Sequence, residues 1–347
     1  MRGERGFHKK NMKKKQKKAR AIARMVLSDA LVFGVCLVVF AYFHHVRVAP
    51  LTPTELPETT PKPMQTPAPQ ATPAPEDTPE PTPSGLLGGK YAEKFSDSGC
   101  VFDETGYRSE TVAIELRTER VYESIVHVAD IYIQDIASFR TAVYDEFGDS
   151  PMRALEMAQQ TNAITAISGD YFSAHLNHGM LIIRNGKVYV DKTPKGYDTC
   201  VLYYDGVMET VTDETFDRDA ILARNPYQAW CFGPALLDES GAAIASFRGS
   251  GIRTNNPRSA IGYFEPGHYC FVMVEGRSND SAGLTLEELS AFFAAMGCKA
   301  AYNLDGGKTA EMVWENELVN PRLGSGRAVS DILYIMDMDG KSREGAQ

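Results

Sequence analysis

Residues 49–84 decide most about this chain, because they cannot fold. The stretch runs through T-P-A-P-Q-A-T-P-A-P-E-D-T-P-E-P-T-P. Proline fixes φ and removes a backbone donor, and almost no apolar side chains are present to bury. An extended, semi-rigid spacer is therefore expected. The stretch has a single P-x-x-P step, Pro50–Pro53, and a single basic residue, Lys62, which argues against a proline-rich recognition motif. Any packed core must lie after it.

Upstream, Met1–Arg24 carries eleven Lys and Arg against Glu4 alone. Met25–Phe43 is then almost wholly apolar, interrupted by Ser28 and Asp29. A helix of about 20 residues spans a bilayer, and flanking Lys/Arg keep the N-terminal end in the cytoplasm. Tyr42–Arg47 reads Y-F-H-H-V-R and offers no small-x-small cleavage site, so an uncleaved anchor is expected rather than a removed signal peptide. The expected division is a basic cytoplasmic tail (1–24), a transmembrane anchor (25–43), a Pro/Thr-rich linker (44–85) and a globular domain outside the cytoplasm (86–347).

Beyond Arg24 the chain carries 25 basic against 44 acidic residues. An acidic body excludes nucleic acid as the expected partner. Cys100, Cys200, Cys231, Cys270 and Cys298 lack metal-ligand spacing. Cys231 and Cys270 sit in apolar runs and read as small buried thiols. One disulfide is possible, and a disulfide framework is not.

Strand signals dominate the globular part. Thr111–Leu116 and Val121–Val128 alternate, and Ile131–Ile133 continues the sheet. Asn185-Gly186 and Asp205-Gly206 mark hairpins, as does Pro266-Gly267 between Ala260–Phe264 and Tyr269–Val274. Ala163–Ile167, Gln228–Leu237 (interrupted at Phe232–Pro234) and Ile332–Met336 complete the strands. Ser150 with Pro151 predicts a helix to about Thr161, and residues 217–224 a short one. The clearest helix has a capping box at Thr285 and Glu288. Its apolar face is Leu286, Leu289, Phe292, Phe293 and Met296, and Gly297 stops it. The expected class is α+β: a mixed, mostly antiparallel sheet with few flanking helices, preceded by one transmembrane helix.

That helix leads into Ala300–Val313, A-A-Y-N-L-D-G-G-K-T-A-E-M-V. The stretch predicts a strand, a tight turn at Asp305-Gly306-Gly307 and a second strand. Asp-Gly is a common turn dipeptide, and glycines also let a ligand approach the backbone. Gly307-Lys308-Thr309 imitates the end of a phosphate-binding P-loop. That loop needs a glycine where Tyr302 stands and a helix where strand residues follow.

The ordered set Ser168–Phe172, Phe232–Pro234, Pro257–Ser259, Glu275–Arg277, Asn303–Gly307 and Arg327–Val329 resembles the phosphodiester glycosidase family, over roughly Ser96–Met336. Glu275 replaces that pattern's usual Asp, Ser168 replaces Asn, and Lys308 stands where a small residue is usual. Thr309 keeps the hydroxyl. The resemblance implies cleavage of a sugar from a glycosyl-1-phosphodiester, with Asp305 as first candidate for the catalytic carboxylate and Glu275 as second. Asp170 and Glu311 stand behind them. It places Arg258, Arg277 and Arg327 around the phosphate, since Arg binds phosphate bidentately. Asn303, Gly306, Gly307, Thr309, Asp170 and Tyr171 join the substrate-binding set.

A phosphate leaves as a weak base, so strong general-acid help is less needed than for an alkyl glycoside. The carboxylate serves to activate water or to stabilise an oxocarbenium-like state. The aromatic Tyr171 fits either core or sugar platform. His175 and His178 have H-x-x-H spacing without a third ligand, so neither a metal nor any other cofactor is expected. The expected partners are a carbohydrate phosphodiester substrate and the membrane. The expected protein is thus an anchored extracellular hydrolase of envelope or exopolysaccharide metabolism. The alternative is a non-catalytic carbohydrate-binding or polymer-assembly module of the envelope.

Overall fold

The computed structural model describes residues 54–55, 87, 90–97, 99–147, 150–171, 179–247, 249–320 and 326–338. The basic tail, the apolar stretch 25–43, nearly all of the linker, Phe172, His175 and His178 lie outside the described residues. Among the described residues no helix is long and apolar enough to cross a membrane.

Three antiparallel sheets make the domain. The seven-stranded sheet has the spatial order Ala300–Asn303, Arg258–Glu265, His268–Val274, Ser124–Ile133, Val112–Val121, Gly106–Arg108 and Val101–Phe102. The five-stranded sheet runs Glu317–Leu318, Met312–Trp314, Thr165–Ser168, Asp331–Ile335, Phe139–Val143. The six-stranded sheet runs Thr54–Glu55, Lys187–Asp191, Leu181–Arg184, Pro226–Trp230, Thr199–Tyr203, Met208–Val211. Every strand pairing among the described residues is antiparallel. The pair Thr54–Glu55, within the Pro/Thr-rich segment, adds an edge strand to Lys187–Asp191.

The sheets meet around Phe139. Its ring centroid lies 5.8 Å from Trp230 of the six-stranded sheet, and 5.5 and 5.3 Å from Tyr269 and Phe271 of the seven-stranded one. Offset and edge-to-face aromatic contacts of this kind add to the area they bury. Ile131, Ile167, Ile261, Tyr302 and Leu333 extend the same core. The helix Leu286–Met296 covers the outer face of the seven-stranded sheet, setting Leu286, Leu289 and Phe293 against Val128, Ala260 and Val272. Its capping box forms as expected, with Thr285 Oγ accepting from the Glu288 N–H at 3.1 Å. Gly297 ends it at φ 83°.

Three elements differ from expectation. Val112–Val121 and Ser124–Ile133 are two ten-residue strands joined at Tyr122 and Glu123, both left-handed (φ 48° and 60°). The sequence shows no Gly, Asn or Asp there, so the turn carries no local signal. The helix near Pro151 starts only at Ala154, because the Met152 backbone pairs with Val329. Ala300–Asn303 and Met312–Trp314 are not a hairpin at all, for they belong to different sheets. The five cysteines among the described residues are free thiols, four of them buried.

Candidate active site

The corner between Asn303 and Met312 crosses from the seven-stranded to the five-stranded sheet, and the site is built on it. Leu304 N–H donates to Ser259 O at 2.8 Å, and Gly307 N–H to Pro257 O at 2.9 Å. Asp305 N–H donates the other way, to Gly169 O at 2.9 Å, just past the strand Thr165–Ser168. Ser168 Oγ and Ser259 Oγ, 2.7 Å apart, close the seam between the sheets. The Asp305 backbone is thereby held by both sheets.

The two glycines let the corner close. A Cβ on Gly306 would stand 2.5 Å from the Pro257 carbonyl oxygen. Gly307 has φ 67°, and a Cβ there would meet Arg277 Nη2 at 3.3 Å. The Arg277 guanidinium therefore lies against the corner; its Nη2 donates to Asn256 Oδ1 at 2.7 Å. On the other side Arg327 N–H donates to Lys308 O at 3.1 Å. The Arg327 guanidinium approaches Asp305 Oδ2 at 3.3 Å and stands 5.0 Å over the Tyr171 ring. Tyr171 and Arg277 are non-glycine residues in the left-handed region (φ 51° and 58°). Each such conformation costs on the order of 1–2 kcal/mol, and strain of this kind concentrates at functional sites.

Asp305 is 7% exposed. Burial raises its carboxyl above the ordinary carboxylate range, while the Thr309 hydroxyl, the Arg327 guanidinium and the Gly306 N–H act against the rise. The Thr309 hydroxyl also donates to Gly306 O at 2.7 Å, which ties down the turn. A partly desolvated carboxylate on a corner that two exposed arginines approach can stabilise developing positive charge or take a proton from water. The arginines can hold an anion.

The other expected site residues fall in different places. Arg258 is buried, and it donates from Nε to Leu284 O (3.0 Å) and from Nη2 to Ile252 O and Thr254 O (2.7 Å each). These donors brace a loop. Loss of solvent pushes its pKa down to about 10. Asn303 is also buried, donating to Gly233 O at 2.8 Å and so tying the Phe232–Pro234 turn to the edge strand Ala300–Asn303. Asp170 lies beneath the corner in an ion cluster: Arg184 Nη2 is 2.8 Å from both Asp170 Oδ2 and Asp331 Oδ2, all three side chains fully buried. Glu311 pairs with Arg153 Nη2 at 2.8 Å, under Gly326. Glu275 is buried at the end of its strand, 2.9 Å from His127 Nε2.

His127, Arg184 and Asp331 are members of these clusters that the sequence reading passed over. A signal existed for two of them. His127 falls on the inward register of I-V-H-V-A-D-I-Y-I, and Arg184 closes the apolar run L-I-I-R. A polar residue at a core-facing position has to find a partner.

The fold and the corner define an antiparallel domain that presents a carboxylate and two arginines at a junction of two sheets. A sequence model of the phosphodiester glycosidase family matches residues 161–336, just over half of the chain, and the chain belongs to that family. The SPbeta prophage-derived uncharacterised protein YomE of Bacillus subtilis (strain 168) is 29% identical over 187 residues, which is 52% of this chain and 29% of that protein. The chain thus spans under a third of that relative's length. The catalytic domain of zebrafish N-acetylglucosamine-1-phosphodiester α-N-acetylglucosaminidase, auto-inhibited by its pro-peptide, shares the fold. Its TM-score is 0.53 at 18% identity, over 70% of this chain and 86% of that one.

Proposed function

We propose that this chain is a hydrolase that releases a sugar from a glycosyl-1-phosphodiester. The observation that carries the reading is a glycine corner on which Asp305 meets Arg327 and against which Arg277 lies, within a domain of the phosphodiester glycosidase family. The arginines hold the phosphate and take up its charge as the glycosidic bond breaks. Asp305 stabilises the oxocarbenium-like carbon or deprotonates the attacking water. The Gly306–Thr309 turn orients the sugar. The likeness to the zebrafish glycosidase domain supports the same substrate class.

The test is turnover by the full-length protein, purified in detergent, on a panel of sugar-1-phosphodiesters. Free sugar and a phosphate monoester should appear together. Binding without turnover across the panel would instead establish a carbohydrate-binding envelope module.

The same proposal places the domain outside the cell membrane, held by the apolar segment 25–43 and acting on wall polymer or exopolysaccharide. The basic start and the apolar run support it. Protease added to intact cells should release the domain by cutting in the Pro/Thr-rich segment. A protected domain would refute the placement, and a mature N-terminus beyond Phe43 would show a cleaved signal.

A further inference from the structure

A second polar system shares the inner face of the seven-stranded sheet with the Asp305 corner. Ser259, Met273, His127 and Thr118 are successive partners across four strands. Leu304 is bonded to the first of them. At about 4.8 Å per strand, His127 lies about 10 Å from Ser259. Glu275 stands two residues beyond Met273 and turns to the same face, where its Oε1 meets His127 Nε2 at 2.9 Å. Both side chains are 7% exposed. On the far side of the ring, Nδ1 is 2.9 Å from Thr118 Oγ1, and Thr118 is exposed. A carboxylate accepts, so Nε2 carries the proton. In the neutral ring Nδ1 then accepts from the Thr118 hydroxyl.

The backbone joins this system to the site. Glu275 N–H donates to Ile125 O at 2.9 Å, and its carbonyl accepts from Ser281 Oγ at 2.6 Å, so its main chain is fixed on both sides. The next residue, Gly276, packs so closely on Pro257 N that a Cβ there would lie 2.9 Å away. Pro257 O in turn accepts from Gly307, and Arg277 lies on Gly307. The Glu275 side chain alone retains rotational freedom, and His127 removes it.

We propose that His127 is a positioning residue for this site: it acts through Glu275, the second candidate carboxylate, holding it in one orientation, while Thr118 anchors the ring at its other nitrogen. The inference rests on the hydrolase reading above. Positioning matters because a misplacement of about 1 Å can cost about 10²-fold in rate, and partners behind a functional group typically contribute about 10–100-fold.

The test compares wild type, His127→Leu, His127→Gln and Thr118→Val as full-length proteins in detergent. His127→Leu should lower kcat about 10–100-fold with KM changed less than about threefold. Gln keeps an N–H donor toward Glu275, so His127→Gln should recover about tenfold of that loss. If the Leu variant does not fold, Gln and the surface variant Thr118→Val carry the test, with kcat falling a few fold in each. Nitrogen NMR of wild type should show His127 protonated at Nε2 and bare at Nδ1. A Leu variant with wild-type kcat, a Gln variant no better than Leu, wild-type kcat in both Gln and Thr118→Val, or a proton resident on Nδ1 alone overturns the inference. An active wild type with an equally active Leu variant overturns this inference alone. A wild type inert toward the whole panel overturns the hydrolase reading and this inference with it.

Discussion

Asp305→Asn should lower kcat by about 10²–10⁴-fold, the usual contribution of a general base or charge stabiliser, and leave the thermal midpoint unchanged or raised. The side chain is nearly isosteric, and the amide oxygen can still accept from Arg327. Burial lifts the folded-state pKa above the unfolded value, so the stability Asp305 contributes is fully present below about pH 4 and is lost as pH rises through the folded value. At neutral pH the ionised carboxylate is then a net cost that Asn does not carry. The midpoint difference between variant and wild type should be largest near pH 7 and shrink toward pH 4. Measuring kcat and midpoint on the same preparations separates chemistry from architecture. Full activity at an unchanged midpoint would remove Asp305 from the reaction and move its role to Glu275. A large fall in the midpoint would make it a structural carboxylate.

Arg184→Met should have the largest effect on stability. It leaves Asp170 and Asp331 buried together without the cation that now lies 2.8 Å from each. Breaking such a buried system by removing one partner costs about 3–5 kcal/mol. Even with the arginine in place, burial and then the charge of Asp170 push the Asp331 carboxyl up to about 7, against the pull of Arg184. Its stabilising contribution is therefore present below about pH 4 and lost as pH rises through about 7. The variant should accordingly lose more stability at pH 8 than at pH 5, in denaturant titrations at the two values. A pH-independent loss under about 1 kcal/mol would show that the cluster tolerates an apolar replacement. Activity should fall as well, since Gly169 links the two systems. Its N–H donates to Asp331 O and its carbonyl accepts from Asp305, each at 2.9 Å.

Much of the secondary structure was legible because its signals are local. The capping box at Thr285, the stop at Gly297 and the turn pairs Asn185-Gly186 and Asp205-Gly206 each act over a few residues, and each appears where the spacing put it. The Tyr122-Glu123 turn was not legible, because neither residue favours a left-handed backbone; the pairing of twenty strand residues imposes it. Arg258 shows the same limit at the site. An arginine ahead of a strand looks like an anion ligand, and only the positions of the Ile252, Thr254 and Leu284 carbonyls reveal that it braces a loop.

By itself the sequence determined that antiparallel strands dominate the fold, and that Asp305 sits on a glycine turn with arginines nearby in an ordered motif set. Those properties depend on composition, on periodicity and on residues a few positions apart. Tertiary structure alone decided that the turn at Asp305 joins two sheets instead of closing a hairpin. It also decided that Arg277 and Arg327 reach the corner while Arg258 does not, and that Asp170 belongs to a buried ion cluster with Arg184 and Asp331. His127 meets Glu275 only through it as well. Each of these depends on which strands become neighbours, and that is settled by shared burial of faces far apart in the chain, which no local pattern records.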